Sequence, residues 1–283
     1  MERDFNDLER REPEQFARFK KHLLTTPMTP IRRRLFKLKG VKGWENMFES
    51  SKKKQQQLSV EDLWYPSIIT PLDTTQGQLY YSTSNHDAHN LLIPNYEFQE
   101  HLSFCGIACT TILLNTMYAK EIENKKYCKV TQNYLYQNVV QMNEKTKMSN
   151  GMTLEQVSVA LNIGGLKTII RYGSKNLVEF ENTLRNDIEQ YLVTCSAFII
   201  CNYWRQFRNK SGNGDTYVQQ CGHHSLLSAY DSLSDQVLVL DPTKNRFAHH
   251  WIMLEHLASS MCTTDAVSVR PRGYLLVYRQ NIQ

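Results

Sequence analysis

The chain has 283 residues, of which 41% are hydrophobic and 22% charged, a globular composition that excludes a disordered chain. No apolar run approaches the roughly 20 residues of a membrane helix, and the N-terminus has no apolar signal-peptide segment. Seven thinly spread cysteines do not form a disulfide framework. We therefore expect a cytoplasmic protein with free thiols, with secretion by a route that needs no signal peptide left open.

The positive charge is concentrated at the N-terminus. The net charge is +5, yet residues 1–60 hold 15 Lys and Arg against 8 Asp and Glu, so the rest of the chain is slightly acidic. We predict a basic, partly flexible extension over residues 1–60 and a compact domain over residues 61–283. The extension either contacts an anionic surface such as a membrane or is simply solvated. Nucleic acid is not expected, because the patterns of RNA-binding modules are absent.

Within the compact domain, the hydrophobic pattern places helices before strands. In chain order, it predicts a short strand at 79–81, a buried helix at 105–118, a capping box at Thr153 and Gln156 that opens a helix, and an amphipathic helix from Leu177 to Ile188. Strands are predicted at 197–203, 225–230, Gln236–Leu240 and Gly273–Tyr278, with a polar loop at 208–215. This segregation predicts an α+β fold, with a helical first half packed on an antiparallel sheet from the second half.

Cys105 is the first candidate for chemistry, because it opens the predicted buried helix. A helix N-terminus carries partial positive charge and free N–H groups, which stabilise a thiolate, the nucleophile of cysteine catalysis. A single cysteine on an apolar helix is more often a core residue. Cys105 therefore needs partners before it indicates catalysis.

Three further residues supply possible partners. His223 stands at the mouth of a predicted strand, and Asp241 ends the next strand 18 residues later, so an antiparallel pair brings them side by side. The histidine would accept the thiol proton, and the aspartate would fix its tautomer. Gln99, six residues before Cys105, is placed to donate to an oxyanion together with the Cys105 N–H. Each residue alone has an ordinary structural explanation, but the set has the papain-like order Cys, His, Asp.

Six short motifs follow one another along the chain. They are Gln99 with Cys105-Gly106, Gly151-Met152-Thr153, Gly222-His223, Val237 to Asp241, His250-Trp251, and Arg272-Gly273-Tyr274. In these motifs and their order, the chain resembles the catalytic domain of the phytochelatin synthase family over residues 66–280.

The resemblance implies a papain-like cysteine-protease fold and an enzyme of glutathione chemistry. The cysteine would attack the Cys–Gly amide of glutathione and release glycine. A second glutathione would then resolve the thioester to give phytochelatin, or water would give γ-glutamylcysteine. Carried over by position, Cys105 is the nucleophile, His223 the general base and then acid, Asp241 the orienting residue, and Gln99 the oxyanion donor.

Substrate-binding residues are also implied by the resemblance. Asp265 and Arg272 match residues that hold the γ-glutamyl ammonium and carboxylate, a pairing that suits a zwitterionic head. Gly222 and Lys244 complete this group.

The sequence departs from the family pattern at several positions. Lys244 stands where the family has Arg, which keeps the charge but loses the planar fork. His224 stands where the family has Phe, and the register of the motifs selects His223 as the base. No cysteine-rich extension follows Tyr278, and the resemblance implies that such short forms act more as hydrolases.

We expect no built-in cofactor and no resident metal. His101, Cys105 and Cys109 have the spacing of successive helical turns, but paired C-x-x-C motifs of a structural zinc site are absent. The resemblance implies that heavy-metal ions such as Cd²⁺ and Zn²⁺ activate through the metal–thiolate of glutathione. It also suggests a homodimer.

Two other functions stay open at this point. One is a papain-like protease or amidase with a protein substrate, for which the basic extension would serve docking or secretion as an effector. The other is a non-catalytic metal-binding protein. Asp265 and Arg272 favour glutathione chemistry, because a protein substrate needs no pocket for a γ-glutamyl head.

Overall fold

A computed structural model of the chain describes residues 69–140, 151–210, 216–244 and 249–279. The predicted extension over residues 1–60 lies outside the described residues. All seven cysteines lie inside them and are free thiols. In the described part of the chain, no helix is long and apolar enough to cross a membrane.

Along the described chain, most helices come before the main run of strands. The strands are β1 (Ile69–Pro71), β2 (Lys167–Tyr172), β3 (Phe198–Lys210), β4 (Thr216–Asp231), β5 (Gln236–Leu240), β6 (His250–Met253) and β7 (Gly273–Tyr278). The α-helices are α1 (Thr75–Thr83), α2 (Asp87–Leu92), α3 (Cys105–Met117), α4 (Ala119–Glu123), α5 (Gln132–Leu135), α6 (Leu154–Ile163), α7 (Leu177–Asp187) and α8 (Leu254–Met261). Shorter turns of other helical types are Ile93–Asn95, Tyr136–Val140 and Ile188–Leu192.

The seven strands form one sheet in the order β1-β6-β5-β4-β3-β7-β2, and every neighbouring pair is antiparallel. The long strand β4 lies at the centre, and α3 packs against it. The predicted α+β class, with helices packed on an antiparallel sheet, is confirmed.

Helix α3 is the buried helix that the apolar run predicts. Every residue from Cys105 to Asn115 is buried. Asn115 pairs with the backbone of Val130, donating from Nδ2 to its carbonyl at 2.9 Å and accepting from its N–H at 2.8 Å. A buried amide that satisfies both backbone groups of another segment fixes that segment without leaving a polar group unpaired.

The N-terminal end of α3 is held by α6. The predicted capping box is present: Gln156 N–H donates to the Thr153 hydroxyl at 3.3 Å, and Thr153 N–H donates to the Gln156 side chain at 2.8 Å. A Cβ placed on Gly106 would lie 2.9 Å from a methyl of Val157. Only glycine therefore allows α6 to approach the residue directly after Cys105.

Two of the predicted elements are wrong. Residues 79–81 lie in α1 and not in a strand, because Thr74 caps that helix and the Tyr80 ring packs edge-on against buried Trp251 at 5.9 Å. The polar loop predicted at 208–215 is too long, since Arg208 to Lys210 continue β3 and pair with β4. Polar residues suit such a hairpin as well as a loop, so composition could not separate them.

The registers of β3, β4 and β5 bring the candidate site together. Tyr203 on β3 lies opposite His223, and Arg205 lies opposite Cys221. Leu226 on β4 pairs with Leu240 at the end of β5. Asp241 follows directly after Leu240, so its carboxylate reaches the same part of β4 as His223.

Candidate active site

Cys105 is the first residue of α3, and its side chain is 7% exposed. The preceding residue, Phe104, makes no side-chain capping bond. The N–H groups of the first helical turn have no intrahelical acceptors, so they remain available to an anion beside the sulfur. Burial raises the pKa of the Cys105 thiol, against the opposing effects of a backbone hydrogen bond from His224 and the Arg205 charge. The resting group is therefore a thiol.

An imidazole of β4 contacts this thiol, and it is that of His224; the predicted base His223 makes no hydrogen bond to the sulfur among the described residues. The Nδ1 of His224 lies 3.8 Å from the Cys105 Sγ. The ring is buried. Burial, together with the charges of His223 and Arg272, lowers the pKa of His224 to about 3, so the imidazole is neutral at ordinary pH.

His223 and Asp241 form the pair that the sequence predicts. Nε2 of His223 lies 2.9 Å from Oδ1 of Asp241, and both side chains are buried. The same oxygen accepts the backbone N–H of Thr243 at 2.7 Å. An imidazole held in this way has a fixed orientation and presents its other nitrogen away from the carboxylate.

Arg205 is a site residue that the sequence analysis missed. Its Nη1 lies 2.7 Å from the second carboxylate oxygen of Asp241, and its Nη2 donates to the Thr243 hydroxyl at 3.0 Å. Nothing in the local sequence marks it, because it lies on β3, 36 residues before Asp241. Only the strand register places this guanidinium beside the carboxylate.

The charges around Asp241 determine its state and that of His223. Burial opposes ionisation of Asp241, but His223 and Arg205 outweigh it and hold the pKa of that carboxyl well below its usual range. Burial and the Arg205 charge lower the pKa of His223 to about 4, although Asp241 acts in the opposite direction. The resting site therefore contains a carboxylate, a guanidinium, neutral imidazoles and a thiol.

The Gln99 side chain does not have the orientation that the oxyanion role needs. Its Nε2 donates to the carbonyls of His101 at 2.8 Å and Leu102 at 2.9 Å. Its Oε1 is buried without a hydrogen-bond partner among the described residues. An oxyanion would therefore have to compete with two main-chain carbonyls for this amide.

The segment that carries Gln99 is nevertheless fixed to the rest of the site. Gln99 N–H donates to the Pro242 carbonyl at 2.8 Å, and the Tyr96 hydroxyl donates to the Asp241 carbonyl at 2.6 Å. Fully buried Gln132 accepts the Glu100 N–H at 3.0 Å and donates to the Phe98 carbonyl at 2.8 Å. Gln99 and Asp241 are thus tied together through the backbone.

Arg272 lies in a second part of the site, across β4 and β3. Its guanidinium lies 4.8 Å from the Trp204 ring, and a Cβ on Gly222 would lie 2.7 Å from its Nη2. Nη1 donates to the Thr264 carbonyl, and Nε is buried without a hydrogen-bond partner among the described residues. Burial lowers the pKa of Arg272, opposed by the charge of Asp265. The guanidinium therefore has one buried donor that no described residue accepts.

Asp265 and Lys244 are placed differently from one another. Asp265 is buried, and its Oδ1 accepts the N–H groups of Val267 at 2.7 Å and Ser268 at 3.3 Å. The charge of Asp265 acts to raise the pKa of Arg272, although the two described side chains form no ion pair. Lys244 is exposed, and the guanidinium beside Asp241 comes from Arg205 instead.

The three possible soft ligands of the sequence do not all lie on one helix. His101 precedes α3, which begins at Cys105, so it does not continue the helical spacing of Cys105 and Cys109. Within the described ranges, no group of three or more His, Cys, Asp or Glu side chains is gathered as a metal site.

Comparisons with known proteins point to one family. A family model described as phytochelatin synthase matches residues 60–274. Glutathione gamma-glutamylcysteinyltransferase 2 of Arabidopsis thaliana is 23% identical over 194 residues, which covers 66% of this chain and 39% of that protein. The glutathione gamma-glutamylcysteinyltransferase of Schizosaccharomyces pombe is 23% identical over 186 residues, covering 65% and 42%. The matched part thus spans about two fifths of those relatives.

Two solved structures overlap more loosely. The peptidase domain of Streptococcus ComA has a TM-score of 0.35 at 16% identity, covering 65% of this chain and 97% of that domain. Xylellain, a cysteine protease from Xylella fastidiosa, has a TM-score of 0.39 at 10% identity, covering 80% and 94%. Similarities at this level carry no argument about the site.

Proposed function

The chain belongs to the phytochelatin synthase family, and from this premise we propose that it is a cysteine-dependent glutathione γ-glutamylcysteinyltransferase and hydrolase. The observation that carries the proposal is the position of Cys105 at the free N-terminus of a buried helix, packed against the strand that holds His223, whose imidazole pairs with Asp241. A nucleophile, a base and an orienting carboxylate are the parts that acyl transfer needs.

The first half-reaction forms a thioester. His223 takes the Cys105 proton, and the sulfur attacks the carbonyl of the Cys–Gly amide of glutathione. Asp241, kept ionised by Arg205, stabilises the imidazolium that forms. The tetrahedral oxyanion accepts the N–H groups at the start of α3 and the amide of Gln99 once that amide leaves its carbonyl partners. His223 then returns the proton to the nitrogen of the departing glycine.

The second half-reaction resolves the γ-glutamylcysteinyl thioester. His223 takes a proton from the attacking water or from the amino group of a second glutathione, and that oxygen or nitrogen attacks the thioester carbonyl. The C–S bond then breaks, and His223 returns the proton to the leaving Cys105 thiolate. Water yields γ-glutamylcysteine, and the second glutathione yields a lengthened peptide. Heavy-metal ions such as Cd²⁺ and Zn²⁺ enter as part of the substrate, as the metal–thiolate of the accepting glutathione. We propose no resident metal for either step.

The zwitterionic head of the γ-glutamyl group is assigned to the second part of the site. Arg272 would bind the α-carboxylate through its free donor, beside Gly222, and Asp265 would face the ammonium group. Lys244 is exposed and would act only as a point charge at the rim. A homodimer is also proposed, on the family resemblance alone, and a cytoplasmic location is proposed on the free thiols.

The proposal is tested by product analysis with glutathione, with and without Cd²⁺, on the wild type and on Cys105→Ala. The wild type should release glycine and γ-glutamylcysteine, and Cys105→Ala should release neither. Longer γ-glutamylcysteine oligomers in the presence of Cd²⁺ would add the synthase activity. The absence of any turnover in both conditions would contradict the proposal.

The names of the relatives do not favour the protease with a protein substrate that the sequence left open. A direct discriminator is Arg272→Ala. We expect it to raise the KM for glutathione strongly, because the head pocket would lose its cation, whereas unchanged turnover would show that the pocket is assigned wrongly.

A further inference from the structure

His224 is a buried polar side chain of the site that neither proposed half-reaction uses. Its Nδ1 contacts the Cys105 Sγ at 3.8 Å. The ring is 2% exposed, and its Nε2 has no hydrogen-bond partner among the described residues. A buried imidazole nitrogen without a hydrogen-bond partner lowers the stability of the fold, so a partner for Nε2 is expected nearby.

Asn202 is in the position to complete it. It lies on β3 directly opposite His224, and residues so paired point to the same face with Cβ atoms about 4.5–5.5 Å apart. Asn202 is also buried, and its Oδ1 has no partner in the described part of the chain. A half-turn of the amide exchanges its oxygen and nitrogen. The amide NH₂ can then donate to Nε2 by side-chain rotation alone.

The charges near the two adjacent imidazoles give them different tasks. His223 has the Asp241 carboxylate at 2.9 Å, which stabilises an imidazolium. The charges that act on His224 are those of His223 and Arg272, and both oppose its protonation. When Cys105 ionises, the proton is therefore held by His223, and His224 stays neutral beside the sulfur.

We propose that His224 is a further catalytic residue, a neutral imidazole whose Nδ1–H donates a hydrogen bond to the Cys105 thiolate while Asn202 holds Nε2. The S–H bond breaks, the proton goes to His223, and the Nδ1–H bond of His224 stays intact throughout. The contact becomes a charge-assisted hydrogen bond when the thiolate forms. The inference rests on the proposed function in taking Cys105 as the nucleophile.

The test measures how the rate of Cys105 alkylation by iodoacetamide depends on pH, followed on the Cys105 peptide by mass spectrometry. Alkylation reports the thiolate without any glutathione. His224→Phe keeps the bulk and removes the donor, so the rate at pH 7 should fall about tenfold or more, with the midpoint raised by about one pH unit. His224→Gln, which restores a neutral donor, should recover part of the loss.

Two further variants complete the design. Asn202→Ala should shift the midpoint in the same direction by a smaller amount, because Nε2 loses its donor. His89→Phe is the matched control, a buried histidine whose Nδ1 contacts the Ser228 hydroxyl at 3.1 Å outside the site, and it should leave the midpoint unchanged.

The outcomes separate this inference from the proposed function. An unchanged midpoint in folded His224→Phe overturns the inference, and so does an equal shift in His89→Phe. Thermal unfolding shows whether each variant folds, and if His224→Phe does not, the midpoints of His224→Gln and Asn202→Ala decide. A midpoint shift without glutathione turnover by the wild type would leave His224 as the thiolate donor and refute the substrate.

Discussion

Replacing Arg205 with Met removes the cation on which buried Asp241 depends. Nη1 of Arg205 lies 2.7 Å from the carboxylate, and the Asp241 side chain is completely buried. Met retains most of the apolar stem of Arg, so the change removes charge more than volume. Because one partner of a buried ion pair is left uncompensated, the free energy of unfolding should fall by about 3–5 kcal/mol.

The same change should alter the titration of His223. The Arg205 charge contributes to lowering its pKa to about 4, while Asp241 acts to raise it. Without the guanidinium, the pKa of His223 should rise. The acidic limb of the kcat/KM profile should therefore move to higher pH in Arg205→Met.

Urea unfolding at pH 7 and the pH profile of glutathione turnover measure the two effects. The double variant Arg205→Met with Asp241→Asn removes both charges and should recover at least half of the lost stability. Exposed Arg270, replaced by Met, is the matched control and should unfold like the wild type. Additive losses in the double variant, or a loss below about 1 kcal/mol for Arg205→Met, would refute the argument.

Three further changes follow from the same structure. Gly222→Ala should raise the KM for glutathione with little change in unfolding, because its Cβ would lie 2.7 Å from the flexible end of Arg272, and an unchanged KM would contradict this contact. Gln132→Leu should lower kcat more than it raises KM, and it should lower the free energy of unfolding by about 1–3 kcal/mol, because the backbone around Gln99 loses buried hydrogen bonds. A wild-type kcat in this variant would show that the Gln132 hydrogen bonds are dispensable. The free energy of unfolding should also fall as the pH drops from about 6.5 to about 4, because five described histidines bind protons more readily in the unfolded chain, whereas a flat urea midpoint over that range would argue against their lowered pKa values. These histidines are His89, His101, His223, His224 and His249.

The sequence predicted correctly those helices that are determined by residues close together in the chain. The apolar run from Cys105 specified a helix buried on all sides, and Thr153 with Gln156 specified a capped helix start. Residues 79–81 show the limit of such signals. Their strand-like composition was overridden by the Thr74 cap and by packing of Tyr80 on Trp251, a residue distant in sequence.

The candidate site also contains some residues that the sequence identifies and others that only the folded structure brings into place. The pairing of His223 with Asp241 follows from two adjacent antiparallel strands, and the sequence contains both. Arg205 and Asn202 could not be identified in this way, because their positions depend on the register of β3 against β4. The direction of the Gln99 amide is set by the carbonyls of its own loop, which spacing along the chain does not reveal.

The central claim is that Cys105 forms a thioester with the γ-glutamylcysteinyl part of glutathione. The most direct measurement is peptide mass spectrometry of the enzyme quenched in acid during turnover of glutathione. We predict a γ-glutamylcysteinyl adduct on the Cys105 peptide, removed by hydroxylamine and absent from Cys105→Ala. Turnover without such an adduct under rapid quenching, or an adduct on another cysteine with Cys105→Ala still active, would contradict the account.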